Sequence, residues 1–321
     1  HTRSLCDWSS DVCSSDLAPA TRSWPWLVVA AGICAITGAL WFGRDAARAL
    51  GQWAAGVGRL EWYDGTEWRS LSSNDERRRT WTVADAFLRP PWETEVPGLD
   101  VADLRLRRIP NPLEVPTVLV RIDPELWRFR VWGAPDFTPG NVGALAEQAG
   151  LSLAVNASYF SDDGPLGLVV SDGASRGRQG RNRAAHFVVK AGETRPRIIN
   201  ERRASLGQLE QGFQGFPAIM SDGQTFAYLR YGGRGFDVWK VERRTAACTA
   251  RDGRVILLVT DSLASGLSLD ELATVLGGLG CDDAMAFDGG SSTGLALRIP
   301  GHGRIVANLK PVPVILGVEK R

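Results

Sequence analysis

The stretch richest in chemistry is AMAFDGGSSTG (Ala284–Gly294), an apolar run that ends in one carboxylate, two glycines and two hydroxyls. It reads as a buried strand that carries Asp288 to a sheet edge, where a carboxylate can act as nucleophile, general base or metal ligand. Gly289 and Gly290 permit positive φ, so successive N–H groups can converge on an anion, and Ser291 and Ser292 add hydroxyl donors. A plain glycine-rich turn capped by an aspartate would carry the same letters. Two further stretches end in the same way. AVNASYFSDDGPLGLVVSDG (Ala154–Gly173) delivers Asn156 and Tyr159 into a Gly/Pro-rich loop. Asn can orient a sugar hydroxyl or a phosphate, and an aromatic ring can stack on a sugar. An Asn-initiated turn over core aromatics is its ordinary alternative. ERRTAACTARDGRVILLVTD (Glu242–Asp261) opens on Arg244, a guanidinium fork that suits phosphate oxygens, and closes on Asp261. A surface Arg and a turn Asp would read alike.

The elements that must position these residues are mostly strands. LDVADLRLRRI alternates apolar and polar residues as a half-buried strand does, and TVLVRID and WRFRVWG read as two strands around a turn at Pro124. AIMSDGQTF and TAACTARDGRVILLVTD read as hairpins on Asp-Gly turns. Two helices stand out. NVGALAEQAG has Asn at its cap and Gly at its stop, and SLDELATVLGGLG has Ser268 as cap with Glu271 completing a capping box. Strand–helix alternation is too sparse for a doubly wound fold, so the expected class is α+β: a strand-rich mixed sheet core with a few helices.

Composition excludes some functions. With 44% hydrophobic and 23% charged residues and a net charge of +1, the chain can bury a core and presents no electrostatic case for nucleic acid. No cysteine spacing suits zinc. Cys248 and Cys281 could pair in an oxidising compartment or remain buried thiols. Residues 1–17 have no structural period, resemble translated adapter sequence and are set aside as non-biological. WPWLVVAAGICAITGALWF (Trp24–Phe42) is uncharged, close to bilayer length and flanked by Trp, so one N-terminal transmembrane helix is expected, as anchor or signal segment. Residues 43–91 read as a stalk, and 92–321 as the catalytic domain.

Taken together and in order, NASYF, GPLGL, RTAAC, SLDELATVLGGLGCDDA and AFDGGSST resemble the phosphodiester glycosidase family, whose members cut a sugar from its anomeric phosphate. FQGFPAIMSDG is similar to the family's Pro-containing hairpin. The sequence departs at Ala157-Ser158, where relatives often carry Gly, and at GGSS, where a third Gly is common. The resemblance implies a hydrolase acting on a sugar 1-phosphodiester or envelope glycan such as an exopolysaccharide, outside the cytoplasm (periplasmic or at the cell surface). Asp288, Asp261 and Asn156 are its implied catalytic residues. Arg244, Thr245, Tyr159, Gly167, Gly289, Gly290, Ser291 and Ser292 would hold substrate, and a divalent cation such as calcium could join through Asp288.

Two rivals use the same residues. One is a binding domain for envelope glycans or phosphate, without turnover. The other is a serine hydrolase, because GSSTG matches G-x-S-x-G with Ser292 as nucleophile; yet no Asp follows Ser292, and the only Glu after it is Glu319. A fluorophosphonate probe separates this rival: the glycosidase reading expects no labelling, and stoichiometric labelling at Ser292 would overturn it.

Overall fold

The apolar runs VPTVLVRI and VILLVT lack polar alternation because the sheet they form is covered on both faces. In the computed structural model, which describes residues 59–71, 88–109, 113–134, 136–179, 184–200, 207–231 and 237–321, strands Glu114–Ile122 and Val255–Thr260 lie side by side, with Val120 opposite Leu257. Val118, Val120, Val255, Leu257 and Val259 enter one core. Their chain neighbours Leu119, Ile256 and Leu258 enter another on the opposite face. A strand buried on both sides must be apolar at every position.

These two strands are central in a ten-stranded sheet. On one side follow Thr245–Ala250, Cys281–Ala286, Ala218–Ser221 and Gln224–Thr225. On the other follow Leu99–Ile109, which also carries Glu93–Val96, then Arg59–Tyr63 and Trp68–Ser70. A five-stranded sheet runs His302–Val306, Leu295–Ile299, Leu153–Asn156, Ile315–Lys320, Trp127–Trp132. A second runs Ala174–Arg176, Val169–Ser171, Leu209–Gly215, Ala185–Lys190, Arg197–Ile199.

All three sheets share the first core. A file of buried phenylalanines threads it: Phe129 meets Phe187 at 5.6 Å, Phe187 meets Phe213 at 5.9 Å, and Phe213 meets Phe287 edge-on at 4.8 Å. The file ends one residue before Asp288, so the base of that loop is fixed by close packing. The helix Leu269–Gly278 covers the other face of the large sheet. Its capping box is formed as expected, and Glu271 also takes a bidentate pair from buried Arg108 at 2.6 and 2.5 Å. The helix Val142–Gln148, capped by Asn141, covers the outer face of the first five-stranded sheet.

Two expectations change. Every strand pair among the described residues is antiparallel, so the sheets are not mixed in direction. Glu114–Ile122 and Trp127–Trp132 flank the Pro124 turn but join different sheets, and such sheet-to-sheet crossings replace the long crossovers that parallel pairing needs. Part of the expected stalk is a hairpin on the large sheet, with Leu60, Trp62 and Leu71 buried. The membrane segment Trp24–Phe42 and the tail lie outside the described residues, among which no helix is long and apolar enough to cross a membrane.

Cys248 and Cys281 form a disulfide between adjacent strands, with Cα atoms 5.7 Å apart. Closing a loop across 33 residues should contribute about 2–4 kcal/mol. Urea unfolding of the Cys248→Ala/Cys281→Ala chain should show that loss, and unchanged stability would argue for independent thiols.

Candidate active site

The site forms where strands of two sheets end together. Leu153–Asn156 is central in the first five-stranded sheet, while Thr245–Ala250 and Cys281–Ala286 pair in the large one. Asn156, wholly buried, ties them. Its Oδ1 accepts the Thr245 hydroxyl at 2.7 Å and the Gly294 N–H at 3.0 Å, and its Nδ2 donates to the Asp288 carbonyl at 2.6 Å. The Asp288 N–H donates to the Ala157 carbonyl at 3.0 Å, and the Phe287 N–H to the Thr245 carbonyl at 2.9 Å.

Asp288 is held above this knot. Its Oδ1 accepts the N–H of Gly289 at 3.0 Å, and Ser292 hydrogen-bonds to its carboxylate. Burial pushes its pKa up to about 6, and the charge of Glu242 pushes the same way; Ser292, the Gly289 N–H and the nearby Lys310 oppose the rise. Tyr159 shares this environment. Burial, with Asp288 and Glu242 nearby, drives its phenol far above the usual range, against the pull of Arg244, and its hydroxyl donates to the Phe216 carbonyl at 2.9 Å.

Several residues expected to touch substrate make polar bonds within the protein. Arg244 is buried and donates from Nε to the Leu267 carbonyl at 2.8 Å and from Nη2 to the Lys240 carbonyl at 2.6 Å, with Glu242 3.5 Å from Nη1. Its fork is therefore filled by the protein. Gly289 spends its N–H on Asp288, Gly290 donates to the Arg243 carbonyl at 2.8 Å, and Ser292 donates its N–H to the Gly289 carbonyl at 3.2 Å. The expected backbone anion cradle is thus closed by internal bonds. Gly289 is needed for another reason: a Cβ there would lie 2.8 Å from the Arg243 carbonyl. Gly167, with φ +97°, packs against Gln214, which a Cβ would strike at 2.9 Å. Asn156 and Thr245 position the loop and are spent on each other.

The Asp261 carboxylate lies 3.9 Å from Arg304 and within electrostatic reach of Arg243. The carboxylate whose charge acts on both Asp288 and Tyr159 is Glu242, which pairs with Lys240 at 2.6 Å. It precedes the arginine pair in ERRTA, and a main-chain bridge to Leu267 holds it there. Lys310 was equally hidden, 22 residues past Asp288 in a Pro-rich segment. The N–H groups of Leu309 and Lys310 donate to the Ser291 carbonyl at 2.7 and 2.9 Å, which brings Lys310 to the loop. Ser291 itself is exposed.

The serine-hydrolase geometry is not assembled. Ser292 is bonded to Asp288, His302 pairs with Glu95, and His186 is buried in the other five-stranded sheet. Among the described residues no group of three or more His, Cys, Asp or Glu side chains is placed to hold a metal ion.

Residues 149–319 match the sequence profile of the phosphodiester glycosidases. The chain belongs to this family. Among solved structures it is similar to the zebrafish N-acetylglucosamine-1-phosphodiester alpha-N-acetylglucosaminidase catalytic domain, auto-inhibited by its pro-peptide. That likeness has a TM-score of 0.57 at 17% identity and covers 71% of this chain and 86% of that one. A hypothetical protein from Synechocystis gives a TM-score of 0.46 at 17% identity, over 73% of this chain and 64% of that one. No curated protein matches the sequence. The likeness to the zebrafish domain shows the fold, and the family profile places all three polar strand ends within one family domain.

Asn156→Ala would strand the Gly294 N–H and the Asp288 carbonyl. The expected loss is about 2–4 kcal/mol of stability, read as a lower urea midpoint; an unchanged midpoint would mean that the knot does not hold the sheets.

Proposed function

We propose that the chain is a glycosidase that cleaves the bond between a sugar's anomeric carbon and a phosphodiester, acting on envelope or exopolysaccharide glycans. The observation that carries this reading is Asp288, a half-buried carboxyl at a strand end whose pKa is pushed up to about 6, with Glu242 and Lys310 acting on it. Such a substrate leaves as a phosphate monoester, a weak base with a second pKa of about 6. Its departure needs little protonation, so the work of the site falls at the anomeric carbon and on the phosphate charge. Asp288, ionised, acts at the anomeric carbon as nucleophile or general base. Lys310 and the Ser291 hydroxyl meet the phosphate. Glu242, ion-paired with Lys240, is the second carboxylate facing the reaction.

We also place the domain outside the cytoplasm, tethered through Trp24–Phe42. The Cys248–Cys281 disulfide supports that placement, because such bonds persist in oxidising compartments.

The deciding measurement is phosphomonoester release from simple sugar 1-phosphodiesters and UDP-N-acetylglucosamine. Asp288→Asn should reduce kcat/KM by about 10²–10⁴-fold. A folded wild-type chain that binds these compounds without release would favour the binding-domain reading. Because Asp288 acts ionised, wild-type kcat/KM should rise about tenfold per pH unit up to about pH 6 and level off above it. The same substitution should stabilise the fold. A carboxyl whose folded pKa is raised favours the folded state while protonated and loses that contribution as pH rises through about 6. At pH 7 the neutral carboxamide of Asp288→Asn escapes that loss, and Tm should rise by about 2–4 °C.

A further inference from the structure

Lys310 belongs to two places at once. Its ammonium acts on Asp288, and it lies 4.7 Å from the centroid of the Phe160 ring. It also lines a cleft of about 490 Å³ that includes Phe137, Phe160, Asp136, Asp162 and Asp163. The N–H groups of Leu309 and Lys310 donate to the Ser291 carbonyl, so the cleft adjoins the loop that carries Asp288. Phe160–Ser161 pairs with Gly164–Pro165, and this hairpin presents Asp162 and Asp163 at its exposed tip. Phe137 is fixed with φ at +56° by its N–H bond to the Ala134 carbonyl at 2.8 Å, beneath the guanidinium of Arg176 at 5.0 Å. The Asp136 carboxylate accepts the Thr138 N–H at 3.1 Å.

The cleft lining therefore carries Lys310 on the side of the Asp288 loop and three carboxylates further along, with Arg176 over the Phe137 ring. We propose that it is the leaving-group subsite and that it takes a phosphate monoester whose organic part carries an amine, such as an amino-sugar or amino-alcohol phosphate. The proposal rests on the glycosidase reading for the phosphate being the leaving group. The phosphate lies toward Lys310. The ammonium lies among Asp136, Asp162 and Asp163. A cleft of this size holds one sugar phosphate. A second phosphate, as in a nucleoside diphosphate, would meet three like charges, so single phosphates should be preferred.

The test needs no turnover. Binding of glucosamine 6-phosphate, glucose 6-phosphate and inorganic pyrophosphate to the full chain is measured by calorimetry at low ionic strength. Glucosamine 6-phosphate should bind about fivefold more tightly than glucose 6-phosphate, and pyrophosphate most weakly. In Asp162→Asn/Asp163→Asn the amine preference should vanish while glucose 6-phosphate binds as before, and Lys310→Ala should weaken both sugar phosphates. Equal affinity for the two sugars, tightest binding of pyrophosphate, no binding of glucosamine 6-phosphate, or a preference that survives the double substitution would each overturn the proposal. A chain that shows the amine preference but releases no phosphomonoester would instead refute the glycosidase reading and leave the subsite standing.

Discussion

One carboxamide holds the two principal sheets in register at the site. Asn156 receives bonds from Thr245 of the ten-stranded sheet and from the Gly294 N–H, and it donates to the main chain of Asp288. The apolar core between the sheets supplies most of the cohesion, but dispersion and burial have little direction. Packed aliphatic faces can shift without large penalty. A buried amide with both ends occupied cannot, because any shift strands a donor or an acceptor away from water. The position of the Asp288 carboxylate depends on this one side chain more than on the loop that contains it.

Around that knot the polar residues divide by depth. Arg244, Thr245 and the N–H groups of Gly289 and Gly290 are consumed in building the floor. Glu242 is half-buried, and Ser291 and Lys310 are exposed. The floor encloses Asp288 enough that burial raises the pKa of its carboxyl.

Local patterns were legible in the sequence. The capping box at Ser268 and Glu271, the two Asp-Gly hairpins and the strand that delivers Asp288 all stand where their letters point, because each is decided by neighbours within a few residues. What the letters could not show was which sheet each strand joins and which way each side chain turns. Asp261 and Glu242 both lie at the open end of one hairpin, where Thr245 pairs with Val259, and both are near an arginine. A main-chain bridge to Leu267 holds Glu242, while Arg304 approaches Asp261. RLEWY at Arg59–Tyr63 has too few residues for a periodic signal, and its strand character comes from pairing with Leu99–Ile109.

That first strand also sets a distance. Arg59–Tyr63 lies five strands from Cys281–Ala286 across the sheet, or about 24 Å at the usual strand spacing. The chain enters the described domain at that flank, so the tether proposed above would hold the domain from the side of the sheet, clear of the Asp288 loop. A bulky glycan could then approach that loop without passing the point of attachment.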